Sequence, residues 1–348
     1  MATNPKIWLD FNEQLKLLQS RGLQVDDEQK AKEYLSRIGY YRLSGYFYSL
    51  REITGELVIL ENYKKPKKVK TDKLILDTFK EGACFKDAVD LYVFDKQLRL
   101  LVMDVLERIE VALRTDIAHT LGSLDKFAYL KPECLHESFA ALENLDSQKG
   151  ITKHQAWLAK HAALITRSKE DFIYHNKTKY GLPIPIWVVC EIWDFGTMST
   201  LFSGMRMREQ DEISQKYGVS NGRIFASWLR SLNYLRNVCA HHCRLWNRSI
   251  KDQPRLPDVN DSPPVWMGAF PKKENQEQAK ARCFLLLFIC KHLLSIINPS
   301  SSWCERMKEH LLTFPELNHL GLNLQGMGAP TDWQNWWNKK LPSSHTVK

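Results

Sequence analysis

Arg230-Ser-Leu-Asn-Tyr-Leu-Arg236-Asn237-Val-Cys239-Ala-His241-His242-Cys243-Arg244-Leu-Trp246-Asn-Arg248 concentrates more chemistry than any other stretch of this 348-residue chain. At about 100° per residue, a helix across it sets Leu232, Leu235, Cys239, His242 and Trp246 on one side. Arg230, Asn233, Asn237, His241, Arg244 and Arg248 fall on the other. One side is core, and the opposite side is a cationic, hydrogen-bonding stripe. Exposed helix faces usually mix signs, with Glu and Lys set four apart, but no carboxylate occurs between Arg230 and Arg248.

That face suits phosphate. Arg236 supplies a permanent cation with a forked donor set, and His241 is the one side-chain type whose ordinary range lets it give or take a proton near neutral pH. Two plainer readings stand beside the catalytic one. A basic helix face is often simply solvated. Cys239, His242 and Cys243 share one helical surface and so permit a zinc reading, against which stand the missing fourth ligand and the lack of a C-x-x-C or knuckle spacing.

The rest of the composition narrows the classes. The chain is long enough for one large domain or two ordinary ones, and 44% hydrophobic with 26% charged residues describes a globular protein. A net charge of +9 favours an anionic partner. Eleven Trp and twelve Tyr add rings on which bases stack, besides those that fill a core. Eight cysteines without repeated spacing, several in apolar runs, point to a reducing cytosol. The N-terminus shows no apolar signal core, and Phe284 to Ile297 is too short and too interrupted by Lys291 and His292 to span a bilayer. A cytoplasmic protein without a membrane segment is expected. No Gly-rich phosphate loop, H-E-x-x-H or magnesium-binding carboxylate cluster stands out, so neither a metal nor a cofactor is expected.

Outward from the opening stretch, the pattern is helical. Asp10 to Arg21 reads as a short amphipathic helix ending at Gly22, and Asp26-Asp27-Glu28 opens another reaching Ile38. From Ile38 to Tyr48, two glycines and four tyrosines predict a tight bend packed by aromatics. There Tyr41 and Arg42 are either packing residues or contacts for an RNA base and backbone. A β-hairpin is expected around Arg51 to Val58, turning at Thr54-Gly55. The run Lys64-Lys65-Pro-Lys67-Lys68-Val-Lys70 is a charged loop, with Lys67 and Lys68 as candidate phosphate contacts. Between Ala88 and Leu121, Leu98, Leu101, Val102, Val105, Ile109, Ala112 and Leu113 keep helical register, predicting a long core helix.

This helix holds Arg114-Thr-Asp-Ile-Ala-His119, a second Arg-x4-His. Arg114 falls on the polar side with Glu107 and Glu110, His119 near the edge of the apolar side, and no cationic stripe accompanies them, which favours a structural role. Ile151 to Leu164 returns to helix, and Arg167 to His175 continues it with both charge signs. Pro183 and Pro185 divide it from a Trp-rich helix, Ile186 to Ser203, whose Glu191 and Asp194 need cations, with Arg236 as a candidate partner. Ser220-Asn221-Gly222 marks the boundary before the opening stretch. Asp252 to Lys273, rich in proline, is an irregular loop, and Ala279 to Ile297 is the last strong helix before a tail carrying Trp333, Trp336 and Trp337.

The Arg236-x4-His241 spacing, with Asn237 following the arginine, resembles the signature of the HEPN superfamily of helical ribonucleases. Gly39-Tyr-Tyr-Arg-Leu-Ser-Gly-Tyr resembles the N-terminal hallmark of the Abi-like family, the AbiD and AbiF group of bacterial abortive-infection proteins within that superfamily. Further strings match in order: Arg108 to Arg114, Arg167 to Glu170 with His175, Pro185 to Trp187 leading to Glu191 and Phe195-Gly196, and Arg236-Asn237 to Asn247. The resemblance covers about residues 10 to 310. It implies a mainly α fold, a HEPN-type helical bundle with additional N-terminal and C-terminal helices and little or no sheet. The division it suggests is an N-terminal helical region, residues 1–85; a helical core, 86–300; and a C-terminal docking tail, 301–348.

It also implies a composite site. Arg236 and His241 lie about 140° apart around one helix, so two facing motifs are needed to bring them together. A homodimer supplies these, or both motifs of one chain, as in the RNA-guided type VI CRISPR nucleases of the same superfamily. The implied activity is a metal-independent endoribonuclease of anti-phage defence, with Arg236, His241 and Asn237 catalytic and His242, Arg244, Arg114, His119 and Glu191 in support. Arg230, Arg248, Arg42, Tyr41, Lys67 and Lys68 are the expected RNA contacts. Two other classes compete: a non-catalytic protein that holds a small partner RNA, and a protein-interaction module whose basic charge is incidental.

Overall fold

The computed structural model describes residues 7–53, 58–61, 69–72, 74–141, 150–257 and 279–338. Among them the chain is mainly helical, with fourteen α-helices and two two-stranded sheets. It divides into two compact units: Met1–Leu98 with Glu309–Gly326, and Arg99–Lys308 with Met327–Lys348.

In the first unit, Asp10 and Glu13 lock the start of α1 (Phe11–Ser20) reciprocally. Each carboxylate accepts the other's backbone N–H at 2.8 Å, which satisfies two end donors at once. Asp27 caps α2 (Glu28–Ile38). Gly39, at φ 89, closes α2 and opens α3 (Tyr40–Phe47), in a conformation that a side chain resists. The bend expected from Ile38 to Tyr48 is therefore one residue wide. Beyond Gly39 the backbone is helical, because Leu43, Tyr46 and Phe47 recur on one buried face, with the Tyr46 hydroxyl donating to Asp95 at 2.7 Å. Tyr41, 85% exposed, and the exposed Arg42 lie outside that face.

The strands β1 (Arg51–Ile53), β2 (Val58–Glu61), β3 (Val69–Asp72) and β4 (Ile75–Phe79) form two antiparallel pairs, β1 with β4 and β2 with β3. The hairpin expected from Arg51 to Val58 is thus replaced by a longer-range pairing. Cross-strand polar contacts favour it: Arg51 pairs with Asp77 at 2.9 Å, and Thr78 donates to Glu52 at 2.9 Å. Thr54-Gly55, Lys67 and Lys68 lie outside the described residues, as does most of the proline-rich stretch after Asp252.

A 40-residue helix, α4 (Phe85–Leu124), crosses the unit boundary at Leu98 and spans about 60 Å. Its apolar register holds: Leu98, Leu101, Val102, Val105, Ile109 and Leu113 are buried, and Ala112 is half-buried.

The second unit adds α5 (Glu137–Ala140), α6 (Lys153–Arg167), α7 (Asp171–Tyr180), α8 (Ile186–Val189), α9 (Phe195–Gly204), α10 (Met207–Lys216), α11 (Gly222–Ala240) and α12 (Cys283–Ile297). After them come α13 (Trp303–Leu312), which runs on past the unit boundary, and α14 (Trp333–Asn338). Two expected helices are broken. The segment from Arg167 to His175 is interrupted at Ser168 to Glu170. Ile186 to Ser203 splits because Asp194 caps α9, its Oδ1 accepting from the Thr197 backbone at 2.7 Å and hydroxyl at 2.8 Å, while Trp193 is extended.

Asn221 caps α11, which packs against α9, α10 and α12. A Cβ at Gly222 would meet Gln210 Cβ at 2.5 Å, so the approach of α10 to α11 needs the glycine. Helix α12 is buried on all sides from Cys283 to Leu294, and Trp336 and Trp337 of α14 pack on its Phe288. No described helix is long and apolar enough to cross a membrane.

Candidate functional site

The helix that carries Arg236 ends earlier than its periodicity predicts. Helix α11 stops at Ala240, His241 is its C-cap, and His242 stands at φ 55, the one non-glycine with positive φ among the described residues. The His242 N–H donates to the Cys239 carbonyl at 3.0 Å, and the Cys243 N–H to the Val238 carbonyl at 2.9 Å. This is the Schellman closure, with histidine in the left-handed position that glycine usually fills. One expectation changes: His242 is exposed rather than on the core side with Leu235 and Cys239. His241, also exposed, keeps the last helical bond, its N–H donating to the Asn237 carbonyl at 3.0 Å, and so stays on the helical period that sets it about 140° from Arg236.

The rest of the stretch divides between solvent and fold. Arg230 and Asn237 are exposed on α11, and Arg244 is half-buried. Arg248 turns back on the helix, its Nε donating to the Tyr234 hydroxyl at 2.9 Å with the guanidinium 6.0 Å from that ring. The zinc reading finds no geometry: Cys239 is buried, the Cys243 thiol faces the His241 carbonyl at 3.8 Å, and no metal-sized cluster occurs among the described residues.

Arg236 is half-buried, and its charge acts on Glu110 of α4. Burial raises the Glu110 carboxyl above the ordinary range, and Arg114 and Arg236 pull it back only in part. The Nε atoms of both arginines are buried and meet no acceptor among the described residues. Asn233, one turn before Arg236, lies against the start of α9, where a Cβ at Gly196 would stand 3.3 Å from its Oδ1.

Arg114 is the hub. Only 14% exposed, it donates at 3.2 Å to Glu110 of its own helix, to Glu191 and to the Trp193 carbonyl. That carbonyl is free because the chain is extended before the Asp194 cap. Asp194 takes Lys160 of α6 at 2.8 Å; burial raises its carboxyl, but Lys160 and the Thr197 donors outweigh this and hold it below the usual range. Glu191 and Asp194 therefore find their cations on α4 and α6, not on α11 as expected.

His119, expected at the edge of the apolar side, is exposed. It lines a pocket of about 510 Å³ with Thr115, Ser123, Trp187, Cys190 and Glu191. A second, more open pocket of about 760 Å³ shares Glu191 and adds Arg167, Lys169 and Glu170. Helix α4 thus sets Glu110 where the charges of Arg114 and Arg236 both act on it, and His119 in the pocket that Glu191 lines. Tyr41 and Arg42 belong to the first unit. The sequence set Glu110 on the polar side with Arg114, at an i,i+4 spacing that suits the ion pair, but carried no sign of Lys160 or the Trp193 carbonyl.

Searches of curated proteins and of solved structures each found no match. A comparison with protein families matched the Abi-like protein family over residues 33–247. The match runs from α2 past the left-handed turn at His242, taking in the Arg114 hub and both pockets, and is more than half of the sequence. The chain belongs to the Abi-like protein family.

Proposed function

We propose that this protein is a metal-independent endoribonuclease of bacterial abortive-infection defence; membership of the Abi-like family supports the defence role. The observation that carries the chemistry is His241: an exposed imidazole at the end of α11, held on its backbone by the Schellman closure, one turn beyond an arginine and next to a strained His242. In this reading a base removes the proton of the substrate's 2′-hydroxyl and the O2′–P bond forms as the P–O5′ bond breaks. An acid protonates the leaving 5′-oxygen. His241 is that acid or base, Arg236 steadies the phosphorane charge, Asn237 orients the phosphate, and His242 supports His241. The products are a 2′,3′-cyclic phosphate and a 5′-hydroxyl, and DNA, lacking the nucleophile, is spared.

The test is cleavage of single-stranded RNA by purified protein in EDTA. His241→Ala should abolish cutting while retaining the helical circular dichroism of the parent; equal cutting by the variant removes the proposal. A second reading, a non-catalytic protein holding a small RNA, draws on the net charge of +9. RNA affinity lost in Arg236→Ala, with no cleavage by the parent, supports that reading.

A further inference from the structure

The two pockets that meet at Glu191 form a graded surface: an aromatic and polar recess opening toward an edge with two cations. Trp187 is 54% exposed on the wall of the recess, where a ring that could have been buried instead faces outward. Such rings stack unpaired bases. At about 510 Å³ the recess falls in the size range of small-ligand sites. Glu191 belongs to both walls, and Arg114 fixes it through Oε2 at 3.2 Å, so this carboxylate is oriented before any ligand arrives. On the far side, Arg167 and Lys169 offer positive charge, tempered by Glu170.

We infer that this recess seats an unpaired guanine of single-stranded RNA, stacked on Trp187 and read by Glu191. A carboxylate only accepts hydrogen bonds. Guanine presents two adjacent donors on one edge, N1–H and N2–H, whereas uracil offers one donor and cytosine and adenine only an exocyclic amine. His119 supplies a ring nitrogen for the guanine O6. Phosphates flanking the base run toward Arg167 and Lys169. The inference rests on RNA being the ligand and adds base preference to it.

The experiment measures anisotropy of a fluorescent twelve-nucleotide uridine RNA and of the same strand with one central guanosine or inosine, at low salt. The guanosine strand should bind about tenfold tighter than the uridine strand, since one bidentate base contact discriminates on that scale. Inosine, which lacks the N2 amine, should lose most of that preference. Glu191→Gln should shrink the guanosine-to-uridine ratio, and Trp187→Ala should weaken the guanosine strand more than the uridine strand. Both changes lie at exposed positions. Guanosine monophosphate should compete poorly, because it lacks the flanking phosphates; displacement of the strand at micromolar concentration would overturn the assignment to RNA. Equal binding of the strands, or an unchanged ratio in Glu191→Gln, overturns the guanine seat while RNA binding stands. No binding of any strand overturns both the seat and the RNA reading beneath it.

Discussion

Arg114 and Glu191, 77 residues apart in sequence, meet at 3.2 Å, and the same guanidinium holds Glu110 and the Trp193 carbonyl. This one side chain ties α4 to the break between α8 and α9. Arg114→Ala leaves the Glu110 carboxyl and the Trp193 carbonyl without it in a mostly buried setting, and stripping one partner from such a network costs about 3 kcal/mol. Arg114→Lys, a point charge in place of a fork, should lose roughly half as much. Glu191→Gln, at a half-exposed carboxylate, should cost less than about 1 kcal/mol. Urea midpoints for the three variants check the order; a loss for Arg114→Ala no larger than for Glu191→Gln would contradict the hub.

Acid should destabilise the second unit through two buried imidazoles. Burial lowers His161 and His292 from 6.5 to about 4. The His161 Nδ1 accepts from the Trp193 indole at 3.0 Å, and His292 lies 2.7 Å from the Tyr217 carbonyl. Both rings are neutral in the folded protein at neutral pH. Their contribution is complete above pH 6.5 and is lost as pH falls from there toward 4, because the unfolded chain takes up protons that the native one refuses. Each accounts for roughly 3 kcal/mol across that window. Unfolding free energy measured from pH 7 to 4.5 should fall steeply. A flat profile would show that these rings bind protons while folded. Cleavage rates below pH 6 should therefore be read only beside a stability curve.

The sequence displayed the helices more faithfully than their ends. Helix α4 was legible because its apolar residues keep one register over many turns. The end of α11 was not: the signal for a Schellman closure is a glycine, and here a histidine takes its place. The split at Trp193-Asp194 was hidden in the same way, since the apolar neighbours of Asp194 suggested a helix interior where its carboxylate is in fact a cap. Arg236 and His241 could be picked out from residue type and spacing. The partners of Arg114 and Asp194 could not, because Glu191, the Trp193 carbonyl and Lys160 arrive from elements distant in sequence.

The histidine at φ 55 has a measurable cost. A non-glycine residue in the left-handed region gives up roughly 1 kcal/mol or more relative to glycine. His242→Gly should raise the unfolding free energy by about that amount, and His242→Val, with a branched Cβ, should lower it. Cleavage by His242→Gly should fall, but by less than in His241→Ala, as befits a supporting residue. A glycine variant no more stable than the parent would show that contacts of the imidazole repay the strain.

The same-chain motif Arg114-x4-His119 makes a poor second half for the catalytic site, because three internal partners hold the Arg114 guanidinium. A phosphate would have to displace a carboxylate from it. His119→Ala should accordingly keep most of the turnover on a uridine-rich RNA, while His241→Ala removes it. Since one helix sets Arg236 and His241 about 140° apart, the partner motif should come from a second copy of the chain. Arg236→Ala and His241→Ala, each inactive alone, should then regain cleavage when co-expressed, and sedimentation should show a dimer. If the mixture stays inactive and His119→Ala is as dead as His241→Ala, both motifs act within one chain, and the bonds around Arg114 must open when RNA binds.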